Sequence, residues 1–180
     1  MSGVVVVGIA DCIVTNSIET SLVTYALGSC IAVTAYDPVV RVGGLLHFML
    51  PDSELDRNKA KVNPYIFADT GIAALLDRCV QLGAKRQRIV VKAAGGAQVM
   101  DEGGLFNIGK RNQLALRKVL WKTGVLLEAE DTGGTASRTV RLEISTGRLL
   151  LRVAGQPERE ISSSTPARRG RLFEDLNPDR

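Results

Sequence analysis

The chain has 180 residues, 45% of them hydrophobic, enough to bury one core and too few for two full domains. No run approaches the roughly 20 apolar residues a membrane span requires. The opening MSGVVVVGIADC also lacks the basic start and long apolar region of a signal peptide, so a soluble, intracellular protein without membrane insertion is expected. A net charge of +4 raises the question of nucleic acid, but Arg168, Arg169 and Arg171 sit together in the tail. Aromatic residues are only 4% of the chain, which leaves no stacking platform, and no nucleic-acid partner is expected.

Val4–Val7 is β-branched throughout and predicts a buried strand, followed by a short apolar stretch around Cys12–Val14. Leu22–Leu27, Ile31–Tyr36 and Val42–Leu50 are apolar and β-prone. Asp37 and Pro38 mark a turn between the last two, so Ile31–Leu50 is predicted as a hairpin. Asn63 then Pro64 predicts a helix start, with Gly83 as its C-terminal glycine. Tyr65, Ala68, Ile72, Leu75, Leu76 and Cys79 fall on one face between them.

Ile89–Lys92 predicts a strand running into Gly95 and Gly96. Asn107 is placed to cap a second helix through Lys122, ended by Gly124, with Ile108, Ala115, Leu116, Val119 and Leu120 inward. Asn112 shares that face, where a polar side chain is either a satisfied buried amide or part of a site. Val125–Ala129, Thr139–Ile144 and Leu149–Val153 read as short strands. Pro157, Pro166, Pro178 and a serine run change the composition after Gly155, so residues 1–154 are expected to form one domain and 155–180 a largely disordered tail. Strands outnumber helices in antiparallel-looking pairs, which predicts an α+β fold.

His47 is the single histidine, set in the apolar run Gly43–Leu50. If an imidazole transfers protons here at neutral pH, no other residue can supply it; the alternative is a core histidine bonded to backbone. Cys30 follows Leu27-Gly28-Ser29, small residues that open the backbone beside it, and a hairpin over Ile31–Leu50 brings the ends carrying Cys30 and His47 together. A thiol becomes an effective nucleophile only when a neighbouring imidazolium or positive dipole favours the thiolate, whereas a strand cysteine is otherwise a small core residue. Cys79 lies on the apolar stripe of the first helix and Cys12 in a strand, both read as inert buried thiols. An odd number of cysteines in a chain that does not look secreted predicts free thiols, and one histidine without a CxxC pair argues against zinc; no metal or cofactor is expected. The glycine pairs form neither a P-loop nor GxGxxG and read as turns, while Glu130–Gly134 is a polar loop suited to binding or to an ordinary turn.

Five stretches, in order, carry a resemblance. They are Thr24–Cys30 (TYALGSC), Gly43–Pro51 (GGLLHFMLP), Lys92–Ala97 (KAAGGA), Asn107–Asn112 (NIGKRN) and Ala129–Gly134 (AEDTGG). Over about residues 3–154 the sequence resembles the CheD family, the chemoreceptor glutamine deamidases of bacterial and archaeal chemotaxis. The resemblance implies a cytoplasmic enzyme with Cys30 as nucleophile, His47 as base and Thr24 orienting the imidazole. Gly28, Ser29, Asn112 and Asp131 are its candidate substrate contacts, and the Cys30 N–H a candidate oxyanion donor. It also implies a β-sandwich-like core flanked by helices, similar to the cytotoxic necrotizing factor type of deamidase. The implied partners are helical chemoreceptor domains and, in some organisms, the CheC phosphatase. A thiol protease or acyltransferase, a binding module with an idle thiol, and a nucleic-acid binder are the competing readings.

Overall fold

The computed structural model describes residues 3–98 and 107–163. In chain order the strands are β1 (Gly3–Val6), β2 (Asp11–Thr15), β3 (Thr20–Leu27), β4 (Ile31–Asp37), β5 (Val42–Phe48), β6 (Val90–Gly95), β7 (Leu127–Thr132), β8 (Arg138–Glu143), β9 (Leu149–Val153) and β10 (Arg159–Glu160). The helices are α1 (Arg57–Val62), α2 (Ala68–Gln81) and α3 (Ile108–Thr123). Two five-stranded sheets result, one ordered β1-β3-β8-β9-β10 and the other β2-β5-β4-β6-β7.

Alternation of side chains along a strand decides how these sheets stack. Leu22 and Leu27 of β3, Val140 and Leu142 of β8 and Leu149 of β9 pack onto Ala32, Leu45 and Ala94 of the second sheet. That sheet's other face carries Ile31, Val33, Leu46 and Phe48 into a second core. There they meet Ile72, Leu75 and Leu76 of α2 and Leu116 and Leu120 of α3. The layers are therefore sheet, sheet and helices, a strand-rich α+β arrangement. Strands β4 and β5 lie in the middle layer and are buried on both faces, which is why their sequences run apolar without alternating.

Three local expectations change. Val4–Val7 does form strand β1, but at a sheet edge, with Val4 60% and Val6 54% exposed and only Val7 buried. β-branching reports strand propensity, not which strand will be covered. Asn63 does cap, accepting from the Tyr65 N–H at 2.9 Å, yet it caps a single 3-10 turn, Pro64–Ile66. The helix begins only at Ala68, because the backbone of 66–68 hydrogen-bonds to Met49 and Leu50 and so holds Phe67 extended, its side chain in the core. Ordered structure also passes the expected domain edge at 154: β10 pairs with β9, and Ile161 is buried between the sheets. The disorder expected of residues 164–180 lies outside the described residues. Among the described residues no helix is long and apolar enough to cross a membrane.

Candidate active site

The site begins with the β4–β5 hairpin, whose register sets Ala32 opposite His47 and Ile31 opposite Phe48. Alternation then turns Ala32, His47 and Leu45 toward the first sheet, and Cys30, one residue ahead of β4, packs against that same inter-sheet core. Cys30 thus lies just ahead of the strand that pairs with the one carrying His47, while His47 Nε2 has no hydrogen-bond partner, the Cys30 thiol included.

Thr24 reaches His47 from the opposite sheet. Its Oγ1 lies 2.8 Å from His47 Nδ1 and donates to the Val7 carbonyl, also at 2.8 Å. A carbonyl can only accept and a hydroxyl has one proton, so both contacts are satisfied only if Nδ1–H donates to Thr24 Oγ1. The ring is then the Nδ1–H tautomer with a lone pair at Nε2. That nitrogen is buried and has no partner. In a site of this kind an unpartnered acceptor is a place for an incoming proton.

A β-bulge steers the chain from Thr24 to Cys30. Against β8, Thr24 pairs with Val140 and Leu27 with Arg138, three steps on one strand against two on the other. The extra residue lets both Thr24 and Leu27 face inward, although their odd separation would put them on opposite faces of a regular strand. Ala26 takes the left-handed conformation this needs (φ 55°), and Tyr25 is turned out to 53% exposure.

Beyond the bulge, the carbonyls of residues 28, 29 and 30 are each held from a different place. Ala97 N–H donates to Gly28 O at 2.8 Å and Gly96 N–H to Cys30 O at 2.8 Å. Asn112 Nδ2 donates to Ser29 O at 2.9 Å and to Met49 O, just past β5, at 2.8 Å. Gly95 has φ 115°, and a Cβ there would lie 2.3 Å from Cys30 O, so only glycine lets β6 come this close. Gly109 does the same for α3, where a Cβ would meet Ala97 O at 2.4 Å.

The predicted substrate contacts divide. Gly28 and Ser29 are half-buried beside the thiol. Asn112 is wholly buried, with both amide hydrogens spent on backbone carbonyls and Oδ1 unpartnered, so it ties the Cys30 bend to the end of β5 from beneath. Asp131 lies on β7, which is two strands from β4 and so roughly 10 Å across the sheet. It is bound by Arg138 at 2.6 Å and by Arg159, in a cleft of about 600 Å³ that Gln113, Arg117, Glu130 and Thr132 also line. Partial burial pushes its pKa up, but the two arginines outweigh that and hold it below the usual carboxylate range. Sequence reasoning missed the bulge, the Val7 carbonyl and the clamp made by Asn112; the amide's place on an apolar helix face was the one available signal.

Burial raises the Cys30 pKa above its ordinary value, partly offset by a hydrogen bond from its own backbone N–H. Burial lowers that of His47 to about 4, so at neutral pH the pair rests as thiol and imidazole rather than as an ion pair. Burial pushes Cys12 and Cys79 up to about 12, and both are closed to solvent, whereas Cys30 is only partly buried. Among the described residues no three His, Cys, Asp or Glu side chains converge to hold a metal.

Residues 49–153 match the family model for CheD, described as chemotactic sensory transduction; the match starts two positions after His47. Among curated proteins, a probable chemoreceptor glutamine deamidase CheD of Solibacter usitatus is 53% identical over 166 residues, 92% of this chain and 98% of that one. A probable chemoreceptor glutamine deamidase CheD 1 of Syntrophus aciditrophicus is 54% identical over 88% of this chain and 99% of its own. The chemoreceptor glutamine deamidase CheD of Thermotoga maritima is 44% identical over 76% of this chain and 84% of its own.

Proposed function

The chain belongs to the CheD family, and from that premise we propose that it deamidates glutamine side chains of chemoreceptors by a thiol mechanism centred on Cys30. The observation that supports the reading is the state of His47: Nδ1 is held by Thr24 and through it by the Val7 carbonyl, leaving Nε2 without a partner, with the partly buried Cys30 one residue ahead of the strand paired with that of His47.

In the first step Nε2 takes the thiol proton as Sγ bonds to the carboxamide carbon. His47 then returns that proton to the amide nitrogen, the C–N bond breaks, ammonia leaves and a thioester remains. Water attacks the thioester, giving its proton to His47; the C–S bond breaks, the thiolate recovers that proton, and glutamate is released. Neither step needs a metal or cofactor. Because both groups start neutral, proton transfer accompanies attack instead of preceding it. Thr24 keeps the imidazole in the productive tautomer, the task that a carboxylate or carboxamide performs in other triads. Gly28 and Ser29 would flank the entering side chain, and the Cys30 N–H is a candidate donor to the oxyanion.

The reading extends to kinship with the cytotoxic necrotizing factor type of deamidase, supported by the facing sheets with helices on one side. It extends also to a cytoplasmic setting and to CheC as a partner competing for this site. The test is incubation with a receptor cytoplasmic fragment, following ammonia and the Gln-to-Glu mass change. Wild type should convert glutamine, while Cys30→Ala and His47→Ala stay folded and inert. Backbone cleavage instead of side-chain conversion would make the protein a thiol protease, and conversion by Cys30→Ala would end the thiol mechanism.

A further inference from the structure

Between β7 and β8 the chain crosses from the second sheet to the first through the turn 133–137. The side chain of Arg138, the first residue of β8, holds that turn. Its Nε donates to Asp131 Oδ1 at 2.6 Å, its Nη1 to the Ala136 carbonyl at 3.0 Å and its Nη2 to the Gly133 carbonyl at 2.8 Å. A guanidinium is planar, so bonds in three directions fix its plane and with it the path of the turn. Gly133 and Gly134 follow that path at φ 86° and 66°, where glycine carries no strain.

Hydrogen bonds lead from this turn to the Cys30 bend. Gly133 N–H donates to Gly95 O at 2.9 Å and Gln98 N–H to Gly134 O at 2.7 Å, so the turn holds the segment 95–98 at both ends. The same segment holds the bend, through Gly96 N–H to Cys30 O and Ala97 N–H to Gly28 O, both at 2.8 Å. Gln113 of α3 adds a bond from Nε2 to Gly96 O at 2.8 Å. Residues 95–98 are therefore a bracket with the Arg138 turn on one side and Cys30 on the other. Little slack remains in it, since even a Cβ on Gly95 would lie 2.3 Å from Cys30 O.

A tie between the sheets alone would not need this arrangement. Desolvating two charges offsets much of their attraction, so a buried ion pair adds little net stability. Arg138 is only 8% exposed, and its donors beyond the carboxylate go to carbonyls of the turn. Asp37 and Arg88 are the comparison. Asp37 closes β4 at the end opposite Cys30 and takes Arg88 at 2.7 Å together with the Val39 and Lys85 N–H groups, none of which belongs to the bracket.

We propose that Arg138, anchored by Asp131, is a positioning residue for the nucleophile: it sets the bracket 95–98 and through it the backbone of Cys30. Asp131 then serves the site through the backbone and not by touching substrate. The effect on glutamine conversion rests on the deamidase reading, whereas the effect on the thiol does not.

Arg138→Lys keeps a charge facing Asp131 and loses the planar fork. It should lower kcat roughly tenfold or more with KM within about threefold, because a small misplacement of a reacting group acts on turnover. Iodoacetamide labelling of Cys30 at pH 8 should rise roughly threefold or more, since a loosened bend lets solvent reach the thiol. Asp131→Ala, which leaves the bonds to Gly133 and Ala136, should move both readings the same way but less. Arg88→Lys is the control: its urea midpoint should fall while turnover and labelling stay those of wild type. Unchanged labelling of Cys30 in folded Arg138→Lys overturns the proposal, as does an equal rise in Arg88→Lys or a wild-type response from Asp131→Ala. Should wild type convert no glutamine, the deamidase reading fails, and the labelling rates still decide whether Arg138 positions Cys30.

Discussion

Thr24 on one sheet and His47 on the other are joined at 2.8 Å, Oγ1 to Nδ1, beside the apolar core between the sheets. The link carries tautomer information because Thr24 has already given its proton to the Val7 carbonyl. A hydroxyl thus fixes the ring tautomer without placing a charge between the sheets.

Thr24→Val keeps the shape and removes the hydroxyl, freeing the imidazole to adopt either tautomer and leaving Val7 O without its donor. Glutamine conversion should fall roughly 10- to 100-fold in kcat, by analogy with the loss of outer partners that orient a histidine. Thr24→Ser should retain most activity. Equal activity in Thr24→Val and wild type would remove this residue from the mechanism.

Asn112→Leu should loosen the bend at Cys30, since Ser29 O and Met49 O lose their shared donor. Losing buried hydrogen bonds of this kind costs about 1–3 kcal/mol, to be read from urea midpoints. Asn112→Asp should be worse, because an ionised carboxylate has no donors and would face two carbonyls. A stable and fully active Asn112→Leu would show that the clamp does not position the nucleophile.

Gly95→Ala forces a methyl to 2.3 Å from Cys30 O at a backbone angle (φ 115°) that suits glycine. Destabilisation of roughly 2–4 kcal/mol is expected, with activity lost ahead of the fold. Gly3→Ala, where nothing lies within 4 Å, is the control that should change neither.

The pH dependence follows from His47, whose pKa burial lowers from 6.5 to about 4. Between those values the unfolded chain binds a proton that the folded chain refuses. Stability from this group is complete above pH 6.5 and is lost as pH falls toward 4, by at most about 3 kcal/mol. Asp37, held at about 2 with Arg88, Lys85 and Val39 overcoming its burial, adds its loss at lower pH. Urea midpoints at pH 7.5, 5.5 and 4.5 should fall steeply for wild type and less for His47→Gln. Parallel slopes would mean that His47 is not buried neutral.

Alkylation separates the thiols. Iodoacetamide should label Cys30 slowly at pH 7 and faster as pH rises past 9, because burial keeps the thiol protonated. Cys12 and Cys79 should remain unlabelled until the protein unfolds. Labelling of either at the rate of Cys30 would contradict the packing of the helix-side core.

What was legible in the sequence was local. The β4–β5 hairpin turns after Asp37, α2 shows its stripe from Ala68 to Cys79, and Gly124 ends α3, each on residues within a few positions of one another; Asn107 stands at the start of α3 as expected but in the left-handed conformation, and its side chain makes no capping hydrogen bond. The singular His47 and the small residues ahead of Cys30 could be named for the same reason, and the resemblance drew Thr24 in. What only the tertiary structure decided is how distant strands meet. It placed Val4 and Val6 at an open edge, held Phe67 extended through Leu50, inserted the bulge at Ala26, and brought the Val7 carbonyl to Thr24 and Asn112 to Ser29. Chain pattern reports propensity and period, whereas these contacts join residues 17 to 83 positions apart, and a hydrogen bond between such residues exists only once both sheets and α3 have packed.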